Sequence, residues 1–96
     1  MKRQLHLSSI PYNKEIGNYF RIKRKKAGLT QLDLGKKLNL NTSQFVSNVE
    51  RGVCAYSLEH LLTISQACRI NKEELIKEIM KHYTICLKKR IIQTKP

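Results

Sequence analysis

The chain has 96 residues and a formal net charge of +12, with 41% hydrophobic residues and few Pro or Gly. That length makes one domain rather than two, and the apolar share suffices for a compact core, which excludes a disordered or fibrous chain. No apolar run approaches the roughly 20 residues a bilayer span needs, and the basic N-terminus lacks the apolar core of a signal peptide. The expectation is therefore a cytoplasmic protein with no membrane partner. Cys54, Cys68 and Cys86 are odd in number and show no C-x-x-C spacing, so neither a disulfide framework nor a zinc site is indicated.

The charge is unevenly spread. Residues 1–28 hold eight Lys/Arg and one acid, residues 29–70 four and three, and residues 71–96 seven and three. The flanks carry the positive field and the middle is nearly neutral. Such a field favours a polyanion: DNA, RNA or an anionic surface. The plain alternative is a solubilising surface.

In chain order, residues 1–12 read as a basic arm, in which Pro11 breaks any helix running in from the N-terminal side. A first helix is expected from the Asn13 N-cap to about Lys26, stopping at Gly28. Ile16, Tyr19, Phe20, Lys23 and Ala27 form its inner face, and Arg21, Lys25 and Lys26 its outer one. This run of Arg21, Lys25 and Lys26 reads either as phosphate contacts or as a solvated face whose last-turn cations suit the helix dipole. A second helix begins after Thr30, with Asp33 completing a capping box, and turns Leu34, Gly35 and Leu38 inward. Gly35 costs about 1 kcal/mol of helix propensity against Ala, which implies close approach by another helix.

The polar turn Asn39–Thr42 leads to a third helix capped by Thr42 or Ser43, with Phe45, Val46 and Val49 as its apolar side. Its outer face offers Ser43, Gln44, Ser47 and Asn48. These short uncharged groups suit base edges in the major groove, where Gln and Asn bond adenine through two atoms. A face serving solubility alone would more often show Lys and Glu. Two such short helices joined by a tight turn suggest a helix-turn-helix unit. Ser57 caps a fourth helix with Leu58, Leu61, Leu62, Ser65 and Cys68 on one stripe. Asn71 caps a fifth, with Glu74 completing a capping box. Leu75, Ile76, Ile79, Met80, Tyr83, Cys86, Leu87 and Ile91 carry the helical spacing to about Lys89, well past a short terminal helix. That overhang reads as a dimer seam; a tail folded back on its own domain is the alternative. The expected organisation is an arm (1–12), a DNA-binding domain (13–80) and a basic helical extension or tail (81–96).

Three patterns recur together. Ile-Gly-x-x-Phe-x-x-x-Arg-x-x-x-Gly-Leu-Thr-Gln-x-x-Leu starts at Ile16, Phe-Val-Ser-Asn-Val-Glu-Arg-Gly at Phe45, and Ser-Leu-x-x-Leu-x-x-Ile at Ser57. Over residues 16–79 the chain resembles the lambda-repressor-like helix-turn-helix domain, the Cro/C1 or XRE type of bacterial and phage regulators. The resemblance implies an all-α, compact five-helix fold. It implies that Ser43, Gln44 and Asn48, with Ser47 beside them, read bases. It also implies that Gln31 binds phosphate, a role a helix N-terminus favours in any case. Arg24 and Glu50 match a structural ion pair bridging the first and third helices. Arg51 and the loop after Gly52 match positions that touch the DNA backbone. Thr42 is grouped with these phosphate-side residues. In two places the chain departs from the family pattern. The turn from Leu38 to Ser43 is one residue longer than the common version. Tyr56 stands where relatives commonly have Pro, which implies either a looser loop or a Tyr56 that itself reaches a phosphate or sugar at the DNA backbone.

The resulting expectation is a sequence-specific double-stranded DNA binder, a small transcriptional regulator or repressor acting as a homodimer through its C-terminal helix. The alternatives are an antitoxin that binds a toxin and autoregulates its operon, or a restriction–modification controller protein. An enzyme is not expected. His6, His60 and His82 lie far apart, Asp33, Glu50 and Glu59 form no acid pair, and neither a phosphate loop nor metal-ligand spacing occurs, so no cofactor or metal is implied.

Overall fold

The computed structural model describes residues 10–93. Among these residues five helices succeed one another: α1 (Lys14–Lys26), α2 (Gln31–Lys37), α3 (Gln44–Glu50), α4 (Leu58–Ala67) and α5 (Lys72–Gln93). Among the described residues there is no strand. The arm expected over residues 1–12 lies mostly outside the described residues. Its last part does not stay outside the fold, because Ile10 is buried in the core.

The helix starts are set by side-chain caps. Asn13 Oδ1 accepts from the Ile16 amide at 2.8 Å. Thr30 and Asp33 exchange reciprocal bonds of 2.9 Å, satisfying two amides that would otherwise lack partners. Ser57 accepts from the His60 amide, and His60 reaches back to the Ser57 amide. At α5 Asn71 accepts from the Glu73 and Glu74 amides. Glu74 does not complete a box there. Its carboxylate instead takes the Tyr19 hydroxyl at 2.9 Å and the Lys23 ammonium at 2.7 Å, tying the first turn of α5 to α1.

The helix stops share one device. Gly28, Asn39, Gly52 and Arg69 have φ of 77, 64, 84 and 54°. In each case the residue after it returns its amide to a carbonyl in the preceding turn: Leu29 to Arg24, Leu40 to Gly35, Val53 to Asn48, Ile70 to Ser65. This is the Schellman closure, which satisfies orphan carbonyls and sends the chain off at an angle. Four such corners fold a chain of short helices back on itself.

The core is built where these helices converge. Ile16 and Phe20 of α1, Leu34 of α2, Val46 and Val49 of α3, and Ile64 of α4 are almost fully buried. α3 packs on both α1 and α2, and α2 also meets α4. Two glycines permit these contacts. A Cβ on Gly17 would lie 2.6 Å from the carbonyl oxygens of Val49 and Glu50, so α1 and α3 meet backbone to backbone. A Cβ on Gly35 would lie 2.5 Å from the Thr42 carbonyl oxygen. The close approach inferred at Gly35 is thus made by the turn before α3, not by a helix.

On α4 the inward face is Leu61, Ile64, Ser65 and Cys68, at i, i+3, i+4, i+7. Leu58 and Leu62, assigned to that stripe from spacing, are half-exposed. Ile64 takes the position that they were given. α5 runs unbroken through position 80 to Gln93, four residues past the expected end. At 22 residues it is about 33 Å long. Leu75 and His82 are buried, the latter bonded to Glu78 at 3.1 Å. Ile76, Met80, Tyr83, Leu87 and Ile91 are exposed.

Candidate nucleic-acid interface

α3 has two sides. Val46, Val49 and Glu50 face the interior. Gln44, Ser47, Asn48 and Arg51, at i, i+3, i+4, i+7, form the outer stripe. Ser43 occupies the N-cap position but makes no side-chain cap bond. Thr42 does this instead, its hydroxyl accepting from the Gln44 amide at 3.1 Å. The stripe is cross-linked: Gln44 Nε2 donates to Asn48 Oδ1 at 3.0 Å, and Arg51 donates to the same oxygen.

Behind this stripe Arg24 and Glu50 form a two-point ion pair. Arg24 Nε meets Oε2 at 2.6 Å and a terminal nitrogen meets Oε1 at 3.0 Å. Both side chains are shut from solvent, at 7% and 2% exposure, so water screens the pair little. The Glu50 hydrogen bond raises the Arg24 pKa above its ordinary value, against the opposing effect of burial. Arg24 also donates to the Leu29 carbonyl at 2.8 Å, which closes the corner after α1. Glu50 Oε1 accepts in addition from Gln31 Nε2 at 3.0 Å. One carboxylate therefore joins α1, the start of α2 and the end of α3.

Gln31 and Glu50 sit in an open groove whose rim includes Lys14, Asn18 and Arg21 of α1 and Arg51 just past α3. The Glu50 charge is neutralised within by Arg24, so the rim cations set the sign of the groove. It continues directly from the outer stripe of α3 through Arg51.

The helix-turn-helix family model of the Cro/C1 (XRE) type matches residues 20–75, more than half of the chain. The chain belongs to that family. No curated protein matched the chain in a sequence comparison. The helix-turn-helix domain is a DNA-binding fold of transcription regulators, and it is not typically enzymatic. Among the described residues no helix is long and apolar enough to cross a membrane.

Within this helix-turn-helix domain the sequence-selected residues fall into three groups. Ser43, Gln44, Ser47 and Asn48 lie together at the outer side of α3, with Thr42 at its start. Gln31 and Arg51 share the cationic groove. Lys25 and Lys26 are exposed at the end of α1 but do not line that groove. Arg21, which shares their outer-face run, does line it, and so does Lys14, for which spacing carries a signal: Lys14, Asn18, Arg21 and Lys25 recur at i, i+4, i+7, i+11 along one face.

Tyr56 is a correction. It was expected at the DNA backbone, yet its side chain has no exposed surface. Its ring packs edge-on against Phe20 at 5.0 Å and Phe45 at 5.6 Å, with His60 at 6.1 Å. The loop after Gly52 turns inward and fills the space between α1, α3 and α4 with this ring. Burial raises the phenol pKa far above its ordinary value, and its hydroxyl has no hydrogen-bond partner. Tyr56→Phe is therefore expected to leave stability unchanged or raise it by about 1 kcal/mol, because it removes an unsatisfied buried hydroxyl. Urea denaturation checks this. A loss above about 1 kcal/mol would mean that the hydroxyl is bonded in solution.

Proposed function

We propose that the chain is a sequence-specific regulator of transcription that binds double-stranded DNA as a homodimer, with α3 reading the major groove. The observation that carries the reading is the uncharged hydrogen-bonding stripe Gln44, Ser47 and Asn48 bordered by a cationic groove. Base recognition needs short donors and acceptors, whereas phosphate recognition needs positive charge, and the domain separates the two. Ser43, Gln44, Ser47 and Asn48 read base edges. Gln31, Thr42, Arg51, Lys14 and Arg21 hold phosphates beside them, and Lys25 and Lys26 extend the field along α1. The Arg24–Glu50 pair contacts no DNA and fixes the relation of α1, α2 and α3.

Dimerisation supplies the rest of the specificity. One short helix reads only about 4–5 base pairs, which is too few, and two half-sites about one turn apart solve this. The exposed residues Ile76, Met80, Tyr83, Leu87 and Ile91 recur at intervals of four and three along α5, and a second copy of the same helix is the occupant that matches such a stripe.

Base and phosphate contacts respond differently to mutation. Gln44→Ala is expected to cost about 1–3 kcal/mol on the preferred sequence and to relax choice at one base pair. Arg21→Ala is expected to weaken all sequences alike and to lower the salt slope by about 1. Binding titrations over a range of salt, on preferred and scrambled duplexes, separate the two. Equal effects of both changes on every duplex would count against reading by α3.

A further inference from the structure

The outer stripe of α3 is wired by its own side chains, and one donor-only group sets the direction of that wiring. Arg51 donates to Asn48 Oδ1, and Gln44 Nε2 donates to the same oxygen at 3.0 Å. The three residues stand at i, i+4 and i+7, on one face of the helix and its cap. A guanidinium has donors and no acceptor, so the end of the Asn48 amide that it meets must be the carbonyl oxygen. That oxygen has two lone pairs, and Arg51 takes one. The Gln44 amide must then turn its NH2 group toward Asn48 to occupy the other.

We infer that Arg51 fixes the hydrogen-bonding polarity of the reading face and makes Asn48 a reader of guanine or thymine rather than of adenine. The inference rests on the DNA-reading function proposed for α3. An asparagine with both ends of its amide free bonds adenine twice, donating to N7 and accepting from the N6 amino group. Asn48 has its carbonyl saturated and offers only N–H. Guanine O6 and N7 and thymine O4 accept such a donor. Adenine can accept one such bond at N7, but its amino group, like that of cytosine, confronts the donor-only amide with a second donor. Gln44 keeps its carbonyl oxygen and its other N–H, the pair that adenine requires. The stripe thus presents an adenine-type site at Gln44 and, one turn on, an acceptor-seeking site at Asn48. Arg51 acts here as a positioning residue, beyond any contact that it makes with phosphate.

Selection of bound duplexes from random DNA tests this, using the full chain and the variants Asn48→Ala, Arg51→Ala and Arg51→Lys, with thermal melting to confirm the fold of each. The position that loses its preference in Asn48→Ala is the one Asn48 reads. The wild type is expected to favour guanine or thymine there over adenine by about tenfold. Arg51→Ala frees the amide to turn and brings adenine within about threefold, while Arg51→Lys, still a donor only, keeps the wild-type order. Preference for adenine or cytosine at that position in the wild type would overturn the inference. So would an Arg51→Ala protein that binds every sequence more weakly with base preference unchanged, which would make Arg51 a phosphate contact alone. A wild-type selection with no enriched sequence would overturn the underlying function together with the inference.

Discussion

Glu50→Ala is expected to destabilise the domain by about 3–5 kcal/mol, the cost of leaving one partner of a buried ion pair alone. The carboxylate holds Arg24 at two points and Gln31 at a third, and it is almost fully enclosed. Its loss leaves a buried guanidinium with only the Leu29 carbonyl as partner. Against a total stability of about 5–15 kcal/mol, that is a large share. Arg24→Ala should cost a similar amount. The double variant should cost much less than the two single losses added together, because neither charge then remains buried without its partner. Guanidinium denaturation of the two single variants and the double measures this. A loss below about 1 kcal/mol for Glu50→Ala would place the pair in water, contrary to its enclosure between α1 and α3. The chemistry also explains why arginine stands at position 24: its fork meets both carboxylate oxygens, which a lysine ammonium cannot match.

Gly17→Ala is expected to cost about 3 kcal/mol of stability, near the upper end for overpacking. Alanine gains about 1 kcal/mol of helix propensity over glycine, so the steric penalty must exceed that gain. It does so because the obstacles are backbone: the carbonyl oxygens of Val49 and Glu50, each 2.6 Å from the added carbon. No rotamer change relieves such a contact, and α3 has to move off α1. The same displacement pulls Glu50 from Arg24 and tilts the outer stripe of α3. The variant should therefore lose sequence discrimination as well as melting temperature. Thermal melting together with binding to the preferred duplex checks both effects. A Gly17→Ala protein of unchanged stability would show that the two helices do not touch here.

The parts of this fold that could be read from sequence are those set by short-range chemistry. Asn13, Thr30, Ser57 and Asn71 cap their helices because their side-chain oxygens reach amides two or three residues on, and local sequence carries that information. Gly28 and Gly52 stop helices for a local reason too, since glycine adopts positive φ without strain. Arg69 makes the same corner with φ of 54° and carries no such signal, because tertiary packing imposes the conformation on it. Glu74 matches the capping-box spacing, yet Tyr19 and Lys23 on α1 compete for its carboxylate and win. Tyr56 went the opposite way. A polar-tipped residue in a loop reads as exposed, but the ring fills a space bounded by Phe20 and Phe45, which lie 36 and 11 residues away in the chain. At the candidate interface the polar stripe of α3 was legible from composition. The wiring of Asn48 to Arg51 was not, since it depends on which side chains share a helix face and which of them can only donate. Of the cations beside the stripe, the outer-face run Arg21, Lys25 and Lys26 is plain in the sequence. Arg21 of that run borders the groove, joined by Lys14 two turns before it, whereas Lys25 and Lys26 do not.

In the proposed function α3 reads DNA from one half of a two-fold assembly. Selection of bound sequences from random duplex DNA by the full wild-type chain tests it most directly. The predicted result is an enriched inverted repeat whose half-site centres lie about 10 base pairs, one helical turn, apart. Enrichment of no sequence, or of a single unrepeated half-site, would contradict it.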